Sequence, residues 1–180
     1  MEAPFETLEP RDVETKLVNV VIDTPRGSRN KFKYDEKLRC FKLSRILPAG
    51  LSFPYDFGSI PRTRGADGDA LDVLVIIEEP TFPGCLLQVK LIGVIGARQI
   101  EKGKSIRNDR LVGVPQTPVN KPRITRLTQL GAELDEIEHF FVAYNEIQGR
   151  TLKPTGRLGA DKAQALLNRA IGEYDRSKKS

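Results

Sequence analysis

The sequence predicts an α+β protein, a small β-barrel packed by helices at one side, and three observations lead there. Short apolar or alternating segments fill the first two-thirds of the chain, each ended by Gly, Pro or acidic residues. Helical periodicity enters only late, over residues 133–147 and 160–179. No internal repeat, low-complexity tract or domain boundary interrupts the 180 residues, so a single domain over 1–180 is expected.

In chain order, residues 1–16 are read as an N-terminal arm, acidic and polar. "KLVNVVID" is apolar and β-branched and stops before Pro25, which suits a strand. "KFKYD" alternates, with Phe32 and Tyr34 on one face and Lys31 and Lys33 on the other. "RCFKLSRIL" runs as a strand into Pro48-Ala-Gly50, and "LDVLVII" stops at Glu78-Glu79-Pro80. "CLLQVKLIGVIGAR" predicts a long strand and "DRLVGVP" closes the series. In the first helix Leu134, Ile137, Phe140, Phe141 and Tyr144 recur at helical spacing. In the second, Ala163, Leu166, Leu167, Ala170, Ile171 and Tyr174 form the apolar stripe, and residues 176–180 are expected to fray as a basic tail.

Composition bounds the function. Hydrophobic residues at 39% and charged residues at 29% suit a globular fold rather than disorder. The formal charge of +5 is compatible with a small polyanion, a nucleic acid or no charged partner. The N-terminal stretch lacks the basic start and apolar core of a signal peptide, and no apolar run approaches the roughly 20 residues that span a bilayer. A cytoplasmic protein with no membrane partner is the expectation. Cys40 and Cys85 form no Cys-x-x-Cys pair and read as small hydrophobes. His139 is the single histidine and falls on the first helix, which argues against histidine catalysis and a His-ligated zinc.

The chemistry concentrates in "ADGDALDVLVII". Asp67, Asp69 and Asp72 crowd together ahead of a buried strand, where a turn needs one Asp. An Asp-Gly turn with chance neighbours is the plain alternative. The EF-hand pattern is missing, because no glutamate follows at the required position. Closely set carboxylates stay ionised when a hard cation offsets them, which points to Mg²⁺, with Mn²⁺ as an alternative. The basic cluster Arg26, Arg29, Lys31 and Lys33 reads alone as a solvated strand face. Beside the acidic loop it suggests a phosphate ester or anhydride held between metals and cations.

These residues resemble the soluble inorganic pyrophosphatases of the first family. "DGDALDVLV" resembles that family's three-aspartate signature, with Ala70 at a position where proline is usual. "VVIDTPRGSRNKFKYD", "FPYDFGSIP", "FPGCLLQVKLIGVI", "NDRLVGVP" and "IEHFFVAYN" follow in the family's order, so the likeness spans roughly residues 17 to 175. The resemblance implies a five-stranded OB-like closed β-barrel with flanking α-helices, Mg²⁺-dependent hydrolysis of pyrophosphate to two orthophosphates, and a homo-oligomer, a hexamer in many bacterial members.

By the same resemblance Asp67 and Asp72 are metal ligands and Asp69 takes the proton of the attacking water. Lys31, Arg45 and Tyr144 stand at phosphate-binding positions. Asp23 replaces a metal-side glutamate, Lys33 stands at another glutamate's place, and Arg110 and Asn145 replace lysines. Phe53 and Phe57 replace tyrosines. Asn108 aligns with a metal-binding aspartate, Asp109 is one residue off and on a regular strand would point away, and Glu101 is a further candidate. Lys33 and Arg110 are then expected on the substrate, standing in for missing cations. Two rivals remain: a hydrolase of another phosphoanhydride, tripolyphosphate or a nucleotide, and a catalytically weak relative that binds phosphate compounds or nucleic acid.

Overall fold

A computed structural model describes residues 4–117 and 122–179, so Met1–Ala3, Pro118–Lys121 and Ser180 lie outside the described residues. Its elements in order are α1 (Pro4–Thr7), β1 (Val18–Thr24), β2 (Asn30–Asp35), β3 (Cys40–Ile46), β4 (Asp56–Ser59) and β5 (Asp72–Val75). There follow β6 (Leu86–Glu101), β7 (Lys104–Arg107), β8 (Arg110–Pro115), a 3-10 turn (Leu127–Leu130), α2 (Glu133–Glu146), β9 (Thr151–Gly159) and α3 (Ala160–Lys179).

Strands β1, β4, β5, β8 and β6 are hydrogen-bonded in that order, and β6 returns to pair β1. The five-stranded closed ring expected of the fold is therefore present, with helices beside it. The β5–β8 contact is parallel and the other ring contacts are antiparallel. Both faces of the central strands are covered, which explains the unbroken apolar run at Val73–Ile76. Val73 and Val75 join Val20, Ile22, Val94 and Leu111 in one core cluster, completed by Ala163 and Leu167 of α3. Leu74 and Ile76 face the opposite way, into a second cluster with Phe53, Phe57, Ile137 and Phe141. The stripe foreseen on α3 packs as expected, Ala163, Leu167 and Ala170 buried and Leu166 and Ile171 partly so.

Three strands escape the local pattern. β4 has four residues and needs Gly58, because a Cβ there would collide with the Val21 carbonyl as β1 and β4 close together. β7 is a short exposed partner for the end of β6. β9 contains Pro154 and two glycines, yet pairs along β6 through a register shift between Gly96 and Ala97. Proline is tolerated at such irregular, outlying pairings. α3 runs to Lys179, so the basic tail expected from Arg176 falls on its last turn, with Ser180 outside the described residues. Arg176, Lys178 and Lys179 suit the negative end of the helix dipole, and Arg176 pairs with Glu173 at 2.7 Å.

β2 and β3 form a separate two-stranded sheet. Such a hairpin is marginal on its own, and it is tied to the body at several points. Phe32 N donates to Thr24 Oγ1 at 3.2 Å, Gly27 N to Phe53 O at 2.8 Å, and Phe53 N to Ser28 O at 3.1 Å. Phe5 of the arm meets Tyr34 and Phe41 edge-on, with centroids 5.3 and 5.7 Å away.

Candidate active site

The acidic loop leaves β4 and re-enters the sheet at Asp72, which pairs with Ser59. Its tight path follows from Gly68 at φ 89°, a conformation other residues rarely take. Gly65 N donates to Asp69 O at 2.7 Å and Asp69 N to the Asp67 carboxylate at 3.2 Å. The Thr63 hydroxyl donates to Ile60 O at 2.7 Å and accepts from Leu71 N at 3.0 Å, pinning the loop base. A Cβ on Gly65 would lie 3.0 Å from Asp67 Oδ1, so glycine keeps the space beside that carboxylate open.

Asp67 and Asp72 line one cleft of about 370 Å³ together with Asn108 and Asp109. Burial pushes the Asp67 carboxyl up from its ordinary range, and the negative charges of Asp72 and Asp69 add to this. Asp23 is buried, and its carboxyl is pushed up to about 7 by burial and by Asp72, against the pull of Lys31 and Lys33.

Cations answer this acidic group from two directions. From the ring, Arg110 is 5% exposed and its Nε lies 3.3 Å from Asp72 Oδ2. That contact is too oblique to be a hydrogen bond, and Nε is a buried donor with no acceptor among the described residues. Arg110 Nη1 donates to the Asn108 carbonyl at 3.0 Å and also to the Asn108 side-chain oxygen, while the guanidinium lies 5.2 Å from the Phe141 ring. From the hairpin come Lys31, Lys33 and Arg45, with Lys31 and Arg45 directly paired across the strands. The register shift after Lys31 belongs to the same stretch, and such bulges re-aim side chains. Lys33 Nζ stands 3.7 Å from Asp69 Oδ1, with both side chains exposed.

Lys31 explains the two phenylalanines that the sequence marked as lost hydroxyls. Its ammonium lies 4.3 Å from the centre of the Phe57 ring and 5.5 Å from that of Phe53. Burial lowers its pKa, while Asp23 and Asp72 pull it back up. Tyr144 stacks on Phe140 at 5.9 Å, and its hydroxyl is pushed up by burial and by Asp72, against Arg110 and Arg45. Asp72, Arg110, Arg45 and Tyr144 therefore share one electrostatic neighbourhood.

Other expectations are placed differently. Asn145 is buried and its amide donates to Phe141 O at 2.8 Å, so it faces the core rather than a ligand. Asn108 and Asp109 lie in the bend between β7 and β8, where strand alternation does not apply, and both line the cleft. Asp109 accepts from Ala97 N at 3.1 Å and pairs with Arg107, so its carboxylate is engaged. Glu101 pairs with Arg150 at 3.0 Å. Asp56 went unmarked in the sequence. It is fully buried and accepts from Arg26 N, Thr81 N and the Thr81 hydroxyl at 2.6 to 3.1 Å, joining two loops behind the hairpin. Only its long-range partners reveal it, and no local pattern carries them.

Among the described residues, no group of three His, Cys, Asp or Glu side chains converges into a metal cage. The oxygen-only donors of Asp67 and Asp72 still fit a hydrated hard cation, since Mg²⁺ keeps several waters and takes one or two carboxylates plus phosphate oxygens.

Residues 20–175 match the protein-family model described as inorganic pyrophosphatase. A Synechocystis inorganic pyrophosphatase is 34% identical over 169 residues, covering 92% of this chain and 96% of the relative. One from Methanosarcina acetivorans is 36% identical over 162 residues, covering 89% and 94%. Among solved structures, the inorganic pyrophosphatase from Thermus thermophilus superposes with a TM-score of 0.83 at 30% identity, covering 95% of this chain and 98% of that one.

Proposed function

The chain belongs to the inorganic pyrophosphatase family, and on that premise we propose that it hydrolyses pyrophosphate to two orthophosphates at the Asp67, Asp69, Asp72 loop. The observation that carries the reading is the meeting of opposite charges: three clustered carboxylates face Lys31, Lys33, Arg45, Arg110 and the Tyr144 hydroxyl. Carboxylates alone would repel a phosphate, and cations alone would bind it without activating water. Asp67 and Asp72 would hold divalent cations, with Asp23 in the charge field of Asp72. Mg²⁺, or Mn²⁺ in its place, supplies an acidified water and charge neutralisation when bound.

The protein's own groups have separate tasks. Asp69 is exposed at the tip of the loop and accepts the proton of the attacking water at a carboxylate oxygen. Arg110 offers its unsatisfied Nε to a phosphate oxygen, and Asn108 holds the guanidinium in place. Lys31, fixed on the two phenylalanine rings, and Arg45 across the strand bind the other phosphate oxygens. Lys33, beside Asp69, neutralises charge on the substrate's outer side. Tyr144 donates its hydroxyl to the group that departs. A homo-oligomer, hexameric by family likeness, and a cytoplasmic location complete the proposal.

Phosphate release from pyrophosphate, titrated with Mg²⁺ and then quenched by a chelator, tests it. Release that rises with Mg²⁺ and stops on chelation is expected. A purified, folded protein that releases no phosphate with Mg²⁺ or Mn²⁺ would overturn it.

A further inference from the structure

Four side chains form a line from the end of β6 to the acidic loop. Asn108 Nδ2 donates to Gln99 Oε1 at 2.8 Å, which turns the amide oxygen of Asn108 the other way, toward Arg110. Arg110 Nη1 donates to that oxygen and to the Asn108 carbonyl at 3.0 Å, and the Phe141 ring lies 5.2 Å from the guanidinium. A guanidinium held in this way brings Nε to 3.3 Å from Asp72 Oδ2.

This pair differs from the protein's surface ion pairs in two respects. Arg110 is buried, and a buried cation deprived of its counter-charge is costly. The neighbouring acid offers it no carboxylate: Asp109 is engaged by Ala97 N and Arg107 and gives Arg110 only its backbone carbonyl, 3.5 Å from Nη1. Asp72 is therefore the anion that the structure pairs with Arg110. The pairing is nevertheless incomplete, because Nε is a buried donor without a hydrogen-bond acceptor among the described residues. A charge contact that lacks its hydrogen bond is easier to exchange than a fully bonded fork.

We infer that Arg110 is the protein's own counter-cation for Asp72 and competes with a divalent ion for that carboxylate, with Asn108 as the positioning residue that aims it. The inference rests on the reading of Asp67 and Asp72 as holders of a divalent cation, and it adds what sets the affinity for that cation. Like charges repel, so Arg110 weakens ion binding at Asp72 until its guanidinium turns to another acceptor. A phosphate oxygen is such an acceptor, and Nε has the free donor to meet it. Ion and phosphate then favour each other through Arg110, and by linkage the effect is reciprocal. Asn108 acts on the ion through Arg110 and not as its ligand.

Calorimetric titration of Mn²⁺ into chelator-treated protein, without substrate, tests this on wild type, Arg110→Met, Asn108→Ala and the double variant. Loss of the guanidinium is expected to tighten Mn²⁺ binding about tenfold, while the same variant shows a raised KM for pyrophosphate because a phosphate contact is lost. Asn108→Ala keeps the charge and removes its hold, so it should tighten Mn²⁺ by less, and it should add nothing in the Arg110→Met background. Unchanged or weaker Mn²⁺ binding in Arg110→Met overturns the inference. Weaker binding in Asn108→Ala does so too, and makes Asn108 a ligand. Should Arg110→Met fail to fold, Asn108→Ala decides alone: tighter binding supports the inference, and unchanged or weaker binding overturns it. A wild type whose Mn²⁺ binding is absent, or survives the double change Asp67→Asn, Asp72→Asn, overturns the inference together with the metal reading of the loop beneath it.

Discussion

The closed ring and the β2–β3 hairpin contribute opposite halves of one site by opposite means. Ring strands and the loops between them carry Asp23, Asp67, Asp69, Asp72, Asn108 and Arg110, on a scaffold whose core side chains are almost wholly buried. The hairpin carries Lys31, Lys33 and Arg45, is largely exposed, and even leaves Leu43 and Ile46 at 50% and 60% exposure. It keeps its place through a few hydrogen bonds and an aromatic clasp. Crowded anions need a rigid frame, because their repulsion would otherwise spread them. Cations that must meet an incoming phosphate gain from a support that can adjust.

The largest effect should come from the ring's loop. Asp69→Asn is expected to cut kcat about a thousandfold, while calorimetry finds Mg²⁺ binding nearly unchanged; equal losses in both would give Asp69 a ligand's role instead. Next, Leu74→Ala in the ring should cost about 3 kcal/mol of unfolding free energy by denaturant titration, while Leu43→Ala on the hairpin should cost under about 0.5 kcal/mol. Similar values for the two would erase the contrast between a packed scaffold and a tethered one.

The clasp can be tested directly. Phe5→Ala removes two edge contacts with the hairpin and should cost about 1 kcal/mol. Amide exchange should quicken in β2 and β3 and stay unchanged in β5 and β8. Phe5→Leu should restore part of the protection.

Two smaller effects concern charge. Asp23 titrates near 7 in the folded chain and near 3.8 when unfolded, so the fold favours its protonated form. That stability is complete below about pH 4 and disappears as the pH rises through about 7. In chelator-treated protein, Tm of wild type should therefore fall between about pH 5 and pH 8, and Asp23→Asn should flatten that part of the profile. Lys33→Gln should leave stability within about 0.5 kcal/mol, since both members of its pair are exposed. It should still lower kcat/KM on pyrophosphate, because the charge next to Asp69 is lost.

Several parts of this molecule were legible locally. β1, β2, β3, β5, β6 and β8 announce themselves by branched or alternating residues, and α2 and α3 by helical spacing. β9 did not, because Pro154 and its glycines argue against a strand until β6 offers an edge. The aspartate loop stood out because three like charges in six residues are costly without a purpose. Asp56 stayed hidden, since one acidic residue at the start of a four-residue strand carries no mark of the three hydrogen bonds it will accept.

The sequence by itself determined the elements, the acidic loop and the residue types available for phosphate, because these depend on neighbours within one or two turns of chain. Only the tertiary structure decided that Asn145 turns inward, that Phe53 and Phe57 seat Lys31, and that Arg110 leaves a donor free beside Asp72. Those outcomes depend on which strands pair and how the ring closes. Side chains dozens of residues apart acquire charge partners, ring faces and burial only when that closure brings them together.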